Sequence, residues 1–393
     1  KVPVSNKICT EKEMRITGDE LEYKTFFLDE YQVGQVNDMG RGHRVILANP
    51  GAGKSVLLLS KAFKYASMYK DSNILLTCYN SNLADSYCFK RSCANFGNDS
   101  NLHIMTFHKL VKKIYEECLH ARCADNIAAP EEIQNCINLV KSGKLKLRFK
   151  AIFIDEVQIF DPQYLELCYL LLEDAEDNTF LMAGDLNQTV RKKSRRGDVP
   201  WKKIAGVTLD FTGRVKYIRK NYRNSKQIGL YLCHMLQHMN ERMKMLNLID
   251  FKELEYDSFE VGETKSLALN VKTGIGRMDI TKKTEDAIKK IAEKYKLSYS
   301  EIAVLFPYKQ HDRIRYYNLY WLRQALDAED IPYSMITSSR DGIFERKRYS
   351  DTNGVVLSTI DSSLGLDFKA AIVTGLYPYN YLYGDDCETL EIS

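Results

Sequence analysis

The stretch 44–55, RVILANPGAGKS, constrains this chain more than any other. Val45, Ile46 and Leu47 form a short apolar, partly β-branched run that predicts a buried strand. Ala48 to Ser55 then turn sharply through Pro50, Gly51 and Gly53, and Val56 to Leu59 open a helical pattern. A strand, a glycine-rich turn and a helix start in that order aim backbone N–H groups at an anion, which predicts a phosphate-binding loop. Pro50, Gly51, Ala52, Gly53, Lys54 and Ser55 then surround the phosphates of a nucleotide. Lys54 would reach the β- and γ-phosphates and Ser55 would ligate Mg2+. Such a loop usually opens on Gly; here it opens on Ala48, which is still small.

At 393 residues the chain is long enough for two domains, each with its own core. Its hydrophobic content of 45% and charged content of 27% are those of an ordinary globular protein. A net charge of +4 is close to balance, so any nucleic-acid site must come from local clustering. No apolar run approaches the roughly 20 residues of a membrane helix, no secretory signal is visible, and the expected location is the cytoplasm, nucleoid or nucleus. Because the chain starts at Lys1 rather than Met, its true N-terminus is expected to lie upstream. The ten cysteines are scattered, and Cys168 and Cys233 read as small core hydrophobes. Cys118, His120, Cys123 and Cys136 fit no zinc spacing well. His234 and His238 share a helix face without an acidic neighbour, as a packed or solvated pair does.

Strands alternate with helices along the chain. Strands are expected at 73–77, 102–106, 151–154 and 180–185, with polar residues gathered at their carboxyl ends. Residues 109–150 form a small helical insertion, partly basic and without a strand, and a helix spans roughly 162–173. A second α/β unit is expected from about 214, where VKYIRKNYRNS reads as a strand followed by a helix start. It continues with a helix at 225–246, strands at 266–271, 302–306, 331–337, 355–359 and 370–374, and helices at 283–297 and 311–328. The domain plan is an arm at 1–25, a first domain at 26–213 and a second at 214–393. The charge run RKKSRRGDVPWKK at 191–203 reads equally well as a solvated loop or as a backbone contact beside a stacking Trp201.

Asp155 and Glu156 end an apolar strand that follows the phosphate loop in the same α/β unit. The first acid can hold Mg2+ through its water shell and the second can polarise a water for in-line attack on a γ-phosphate. With these residues in place the order of motifs resembles superfamily 1 helicases of the UvrD/Rep/PcrA-like group, over roughly residues 28–376. LDEYQ at 28–32, LLTCYNSNLADSY at 75–87, MTFHKL at 105–110, IDEVQ at 154–158, AGDLNQTV at 183–190, KNYRNS at 220–225 and LSTIDSSLGLDF at 357–368 each resemble a segment of that group.

The resemblance implies two tandem RecA-like doubly wound parallel-sheet domains without the family's large inserted 2B-type domain. It implies ATP as substrate and Mg2+ as cofactor. Gln32 would read adenine, Tyr222 would stack on it, and Asp367 would approach the ribose. Lys54, Asp155, Glu156, Gln188 and Arg223 would form the catalytic set, with Gln188 and Arg223 at the γ-phosphate and Gln158 as a coupling residue. Single-stranded nucleic acid, DNA favoured over RNA, would meet Tyr79, Phe107, His108, Trp201, Thr359 and Ser362. The function implied is an ATP-dependent helicase or translocase, with an ATP-gated clamp as the alternative and a kinase or metabolic ATPase as a third. Departures are Ser363-Leu364-Gly365, which lacks the usual Lys before Gly, and Asp361 in place of a common His. No segment after Leu376 resembles the last family motif, so the second domain is expected to be incomplete at its C-terminus, and a partner protein to complete the motor.

Overall fold

The computed structural model describes residues 15–16, 21–22, 42–48, 51–93, 101–119, 128–174, 177–185, 211, 213–218, 221–225, 227–231, 234, 237, 259–261, 277–306, 318–337 and 345–375. The chain divides into two compact units, the first chiefly residues 25–267 and the second chiefly 268–391 with 11–24. In the second, Arg15–Ile16 (β1) pairs antiparallel with Leu21–Glu22 (β2).

The first unit is built on Arg44–Ala48 (β3), Lys54–Met68 (α1), Ile74–Cys78 (β4), Ser81–Cys93 (α2), Leu102–Thr106 (β5), Phe107–Leu119 (α3), Pro130–Lys141 (α4), Ala151–Ile154 (β6), Pro162–Leu170 (α5), Thr179–Gly184 (β7) and Val215–Ile218 (β8). Six strands form one all-parallel sheet in the order β5-β4-β6-β7-β3-β8. Strand alternation decides the layers. Val45 and Leu47 turn to one face with Leu75, Ile152, Ile154 and Phe180, where Ile114, Ile133 and Leu165 of α3, α4 and α5 cover them. Ile46 and Ala48 turn to the other face with Ile74, Leu76 and Phe153, under Leu58, Ala62, Leu83 and Tyr87 of α1 and α2. A sheet covered on both faces needs apolar residues at consecutive positions, which is why these strands read as unbroken hydrophobic runs.

The described part of the second unit holds Arg277–Tyr295 (α6), Ile302–Phe306 (β11), Asn318–Ala328 (α7), Tyr333–Met335 (β12), Val355–Thr359 (β13), the short helix Ile360–Ser363 (α8) and Ala370–Val373 (β14). Its four strands are again all parallel, in the order β12-β13-β11-β14. Ile288 of α6 and Leu322 and Leu326 of α7 pack on Val304, Val355 and Leu357, while Ala303, Ile336, Val356 and Leu366 make the opposite face. Both sheets have the α/β layering of RecA-like domains, as expected. Among the described residues no helix is long and apolar enough to cross a membrane.

Two local expectations are corrected. Residues 221–225 are a strand (β9), not a helix start; they pair in parallel with Phe259–Val261 (β10), and the described residues 227–231 are helical. A ladder to a distant segment outweighs the local preference there. The strand Val215–Ile218 was expected to open the second unit, yet it hydrogen-bonds to β3 as the edge of the first sheet, and the first unit runs on past 213. An apolar strand pattern does not encode which sheet it joins.

Candidate nucleotide site

In an open parallel sheet, ligands bind beyond the carboxyl ends of the strands, where the order reverses. In the first unit the chain leaves β3, passes to β4 and returns through β6 and β7, so β7 lies between β3 and β6. The phosphate loop leaves β3 and the acidic pair leaves β6. Two strand spacings, roughly 9–10 Å, separate those ends, and side chains close the gap.

Gly51 and Gly53 both have φ +80°, the left-handed region that suits glycine. Gly53 caps α1 without a side-chain hydrogen bond, leaving the first N–H groups of the helix for an anion. Lys54 is 6% exposed, and its Nζ donates to the Ala48 carbonyl oxygen at 3.3 Å, folding over the loop. Ser55 Oγ donates to Asp155 Oδ2 at 2.7 Å across 100 residues of sequence. Asp155 is fully buried, and its own N–H continues the ladder by bonding the Thr77 carbonyl oxygen at 3.0 Å.

Glu156 adopts a left-handed backbone, φ 55° and ψ 46°, a conformation a side-chain-bearing residue rarely takes. It turns the chain out of β6 into a single turn at Val157–Ile159, and its N–H bonds Asp155 Oδ1 at 2.9 Å. Burial pushes the Glu156 carboxyl above its ordinary range, Lys54 opposes that, and Asp155 adds to it. Gln158 Nε2 donates to Glu156 Oε2, while Gln158 Oε1 accepts from the Asp185 N–H at 3.1 Å. That bridge needs close approach: a Cβ on Gly184 would lie 2.4 Å from Gln158 Oε1.

Tyr87 is a site residue that motif reading missed. It lies on α2, is 1% exposed, and its hydroxyl donates to Asp155 Oδ2. Burial, then the charge of Asp155, pushes the phenol well above its usual range, which keeps it a donor. Its spacing from Leu83 and Ala84 marks only an apolar helix face, and the polar tip carries no signal of its own.

The donor set fits a magnesium nucleotide. Ser55 and Asp155 offer hard oxygens at one point beside the phosphate loop, and Mg2+ commonly takes one or two carboxylates together with water and phosphate oxygens. Among the described residues there is no cluster of three or more His, Cys, Asp or Glu able to cage a metal. Cys136 is sealed in the core, and His120 and Cys123 lie outside the described residues.

The expected nucleic-acid residues fare unequally. Phe107 is fully buried and stacks on Tyr164 with ring centroids 4.3 Å apart. His108 is 6% exposed, and its Nδ1 accepts from the Ala128 N–H at 3.2 Å. Neither presents a ring to a base, which corrects their assignment: both begin α3, whose first turn packs inward. Tyr79 is half-buried, with its ring edge-to-face with His108 at 5.1 Å. In the second unit, Thr359 caps α8 by accepting the Ser362 N–H at 3.2 Å; its hydroxyl donates to Ser362 Oγ, which donates to Thr337 Oγ1. The Asp367 carbonyl oxygen accepts from the Tyr349 hydroxyl at 2.7 Å. Gln32, Pro50, Gln188 and Trp201 lie outside the described residues, and Tyr222 and Arg223 are placed on β9 by their backbone alone.

Fold and site together resemble those of a P-loop NTPase domain. Residues 32–193 match the family model described as AAA domain (AAA_19). No curated protein matches the chain.

Proposed function

We propose that this protein hydrolyses ATP at the β3–β6 site and couples the reaction to movement along single-stranded nucleic acid, with DNA favoured over RNA. The observation that carries the reading is the meeting of Ser55 with Asp155, beside Lys54 and Glu156, at the carboxyl ends of a parallel sheet. The loop N–H groups and Lys54 bind the β- and γ-phosphates. Ser55 and Asp155 would hold Mg2+, which when bound would supply positive charge against the phosphates. Glu156 takes a proton from the attacking water as the bond between the bridging oxygen and the γ-phosphorus breaks, giving ADP and inorganic phosphate. Gln188 and Arg223 at the γ-phosphate, Gln32 and Tyr222 at adenine, and Asp367 at the ribose follow from the helicase resemblance. So do Tyr79, Thr359 and Ser362 as strand contacts, while Trp201 follows from the charge run at 191–203. Aromatic stacking makes such binding tolerant of sequence.

ATP turnover measured with and without single-stranded DNA and RNA tests the reading. Stimulation by a single strand, abolished by Lys54→Ala, is expected; turnover that survives Lys54→Ala sinks it. A second reading is an ATP-gated clamp that grips nucleic acid or protein without unwinding. The missing Lys before Gly365 and the mutual hydrogen bonding of Thr359 and Ser362 favour it. ATPase without displacement in a strand-separation assay would select the clamp, or a bare translocase that needs a partner.

A further inference from the structure

The Asp155 carboxylate is held from three sides. Oδ1 accepts the Glu156 N–H at 2.9 Å, and Oδ2 accepts both the Ser55 hydroxyl at 2.7 Å and the Tyr87 hydroxyl. These donors differ in what else they do. Ser55 belongs to the phosphate loop, and its oxygen is the one a bound cation would claim. The Glu156 N–H belongs to the strained turn after β6. Tyr87 comes from neither: it stands on α2, with Leu83 and Ala84 on the same buried face, and its ring is 1% exposed. It is the donor to Oδ2 that a cation does not compete for. When Ser55 turns from the carboxylate to a metal, Tyr87 still fixes the rotation of the Asp155 side chain.

We infer that Tyr87 is a positioning residue for magnesium: its hydroxyl orients Asp155 so that the carboxylate and Ser55 present a preformed pair of oxygens to the Mg2+ of a magnesium nucleotide. The inference rests on the proposed nucleotide site. Partners that orient a metal ligand typically cost about 10- to 100-fold in metal affinity when removed. A preformed ligand also spares the ordering entropy that a free carboxylate would lose on binding.

The test uses the full chain and a fluorescent ATP analogue, titrated first in EDTA and then with MgCl2 at fixed nucleotide. Tyr87→Phe removes one oxygen and keeps the ring. Its MgCl2 half-point is expected to rise about tenfold or more, while affinity in EDTA stays within about twofold of wild type. A purely structural hydroxyl would lower the melting temperature and shift both titrations together. A folded Tyr87→Phe whose Mg2+ half-point matches wild type overturns the inference. Should Tyr87→Phe fail to fold, Tyr87→Met, which keeps apolar volume, is read by the same comparison; failure of both to fold assigns the hydroxyl to stability and overturns the inference too. Wild-type protein that binds no nucleotide, or binds it without any response to Mg2+, removes the nucleotide reading itself and the role of Tyr87 with it.

Discussion

The carboxyl ends of the two parallel sheets invite comparison, because the same architecture ends in different chemistry. In the first unit the strand ends carry Lys54, Ser55, Asp155 and Glu156, and the acids are buried. In the second, β13 ends in Ser358 and Thr359, which lead into Ser362 in α8, and the short cap there is made of hydroxyls that bond one another. A doubly wound sheet supplies a crevice and aligned strand ends. It becomes a phosphate site only where a glycine-rich turn frees helix N–H groups and a neighbouring strand adds a carboxylate. Among the described residues the second sheet has the same frame without those additions.

The contrast can be broken most forcefully at Glu156. Glu156→Gln is expected to lower ATP turnover by about 100- to 10,000-fold while nucleotide binding persists; phosphate release read beside a binding titration checks both. Gly184→Ala should follow at about 10- to 100-fold in kcat, since its methyl must displace Gln158, 2.4 Å away, and so loosen the grip on Glu156. An unchanged kcat would mean the Gln158 bridge is dispensable. On the second sheet, Thr359→Ala removes a helix cap worth about 1 kcal/mol, to be read by denaturant melts. Under the proposed function it also weakens single-strand binding without changing its salt dependence.

The smallest effect concerns Glu285 on α6. Burial works against its ionised form, but Lys289 at 2.8 Å and Lys282 at 3.0 Å outweigh it and hold the carboxyl below its ordinary value of 4.5. A folded pKa below the unfolded one stabilises the protein above that value, and the gain is lost as pH falls through the folded pKa. Glu285→Gln should therefore lower Tm by roughly 2–4 °C near neutral pH, with wild type and variant converging in acid. A gap that stays constant with pH would assign the loss to packing.

The parts of the molecule legible in the sequence are those with local causes. Val45 to Leu47 and Ala151 to Ile154 read as buried strands because both faces of each are covered, and Gly51 and Gly53 announce left-handed turns. What escaped depends on which segments meet. Nothing in VKYI says that it extends the first sheet beside β3, nor in NYRNS that it pairs with Phe259–Val261. Phe107 and His108 sit in a motif expected at a nucleic-acid surface, yet α3 turns both inward against Tyr164. Tyr87 looked like one more apolar residue because its hydroxyl finds its acceptor 68 positions away.

The Gln158 amide has a fixed polarity, and this gives the site an interlock. Its oxygen takes the Asp185 N–H at the end of β7, so only its nitrogen is left to hold Glu156. The segment that resembles the γ-phosphate sensor, 186–190, continues from Asp185. A displacement of β7 by an ångström would stretch that 3.1 Å hydrogen bond past its useful range, and Gln158 would lose one of the two contacts that fix its amide. Under the proposed function, the orientation of Glu156 would then depend on the strand beside it as well as on the phosphate loop.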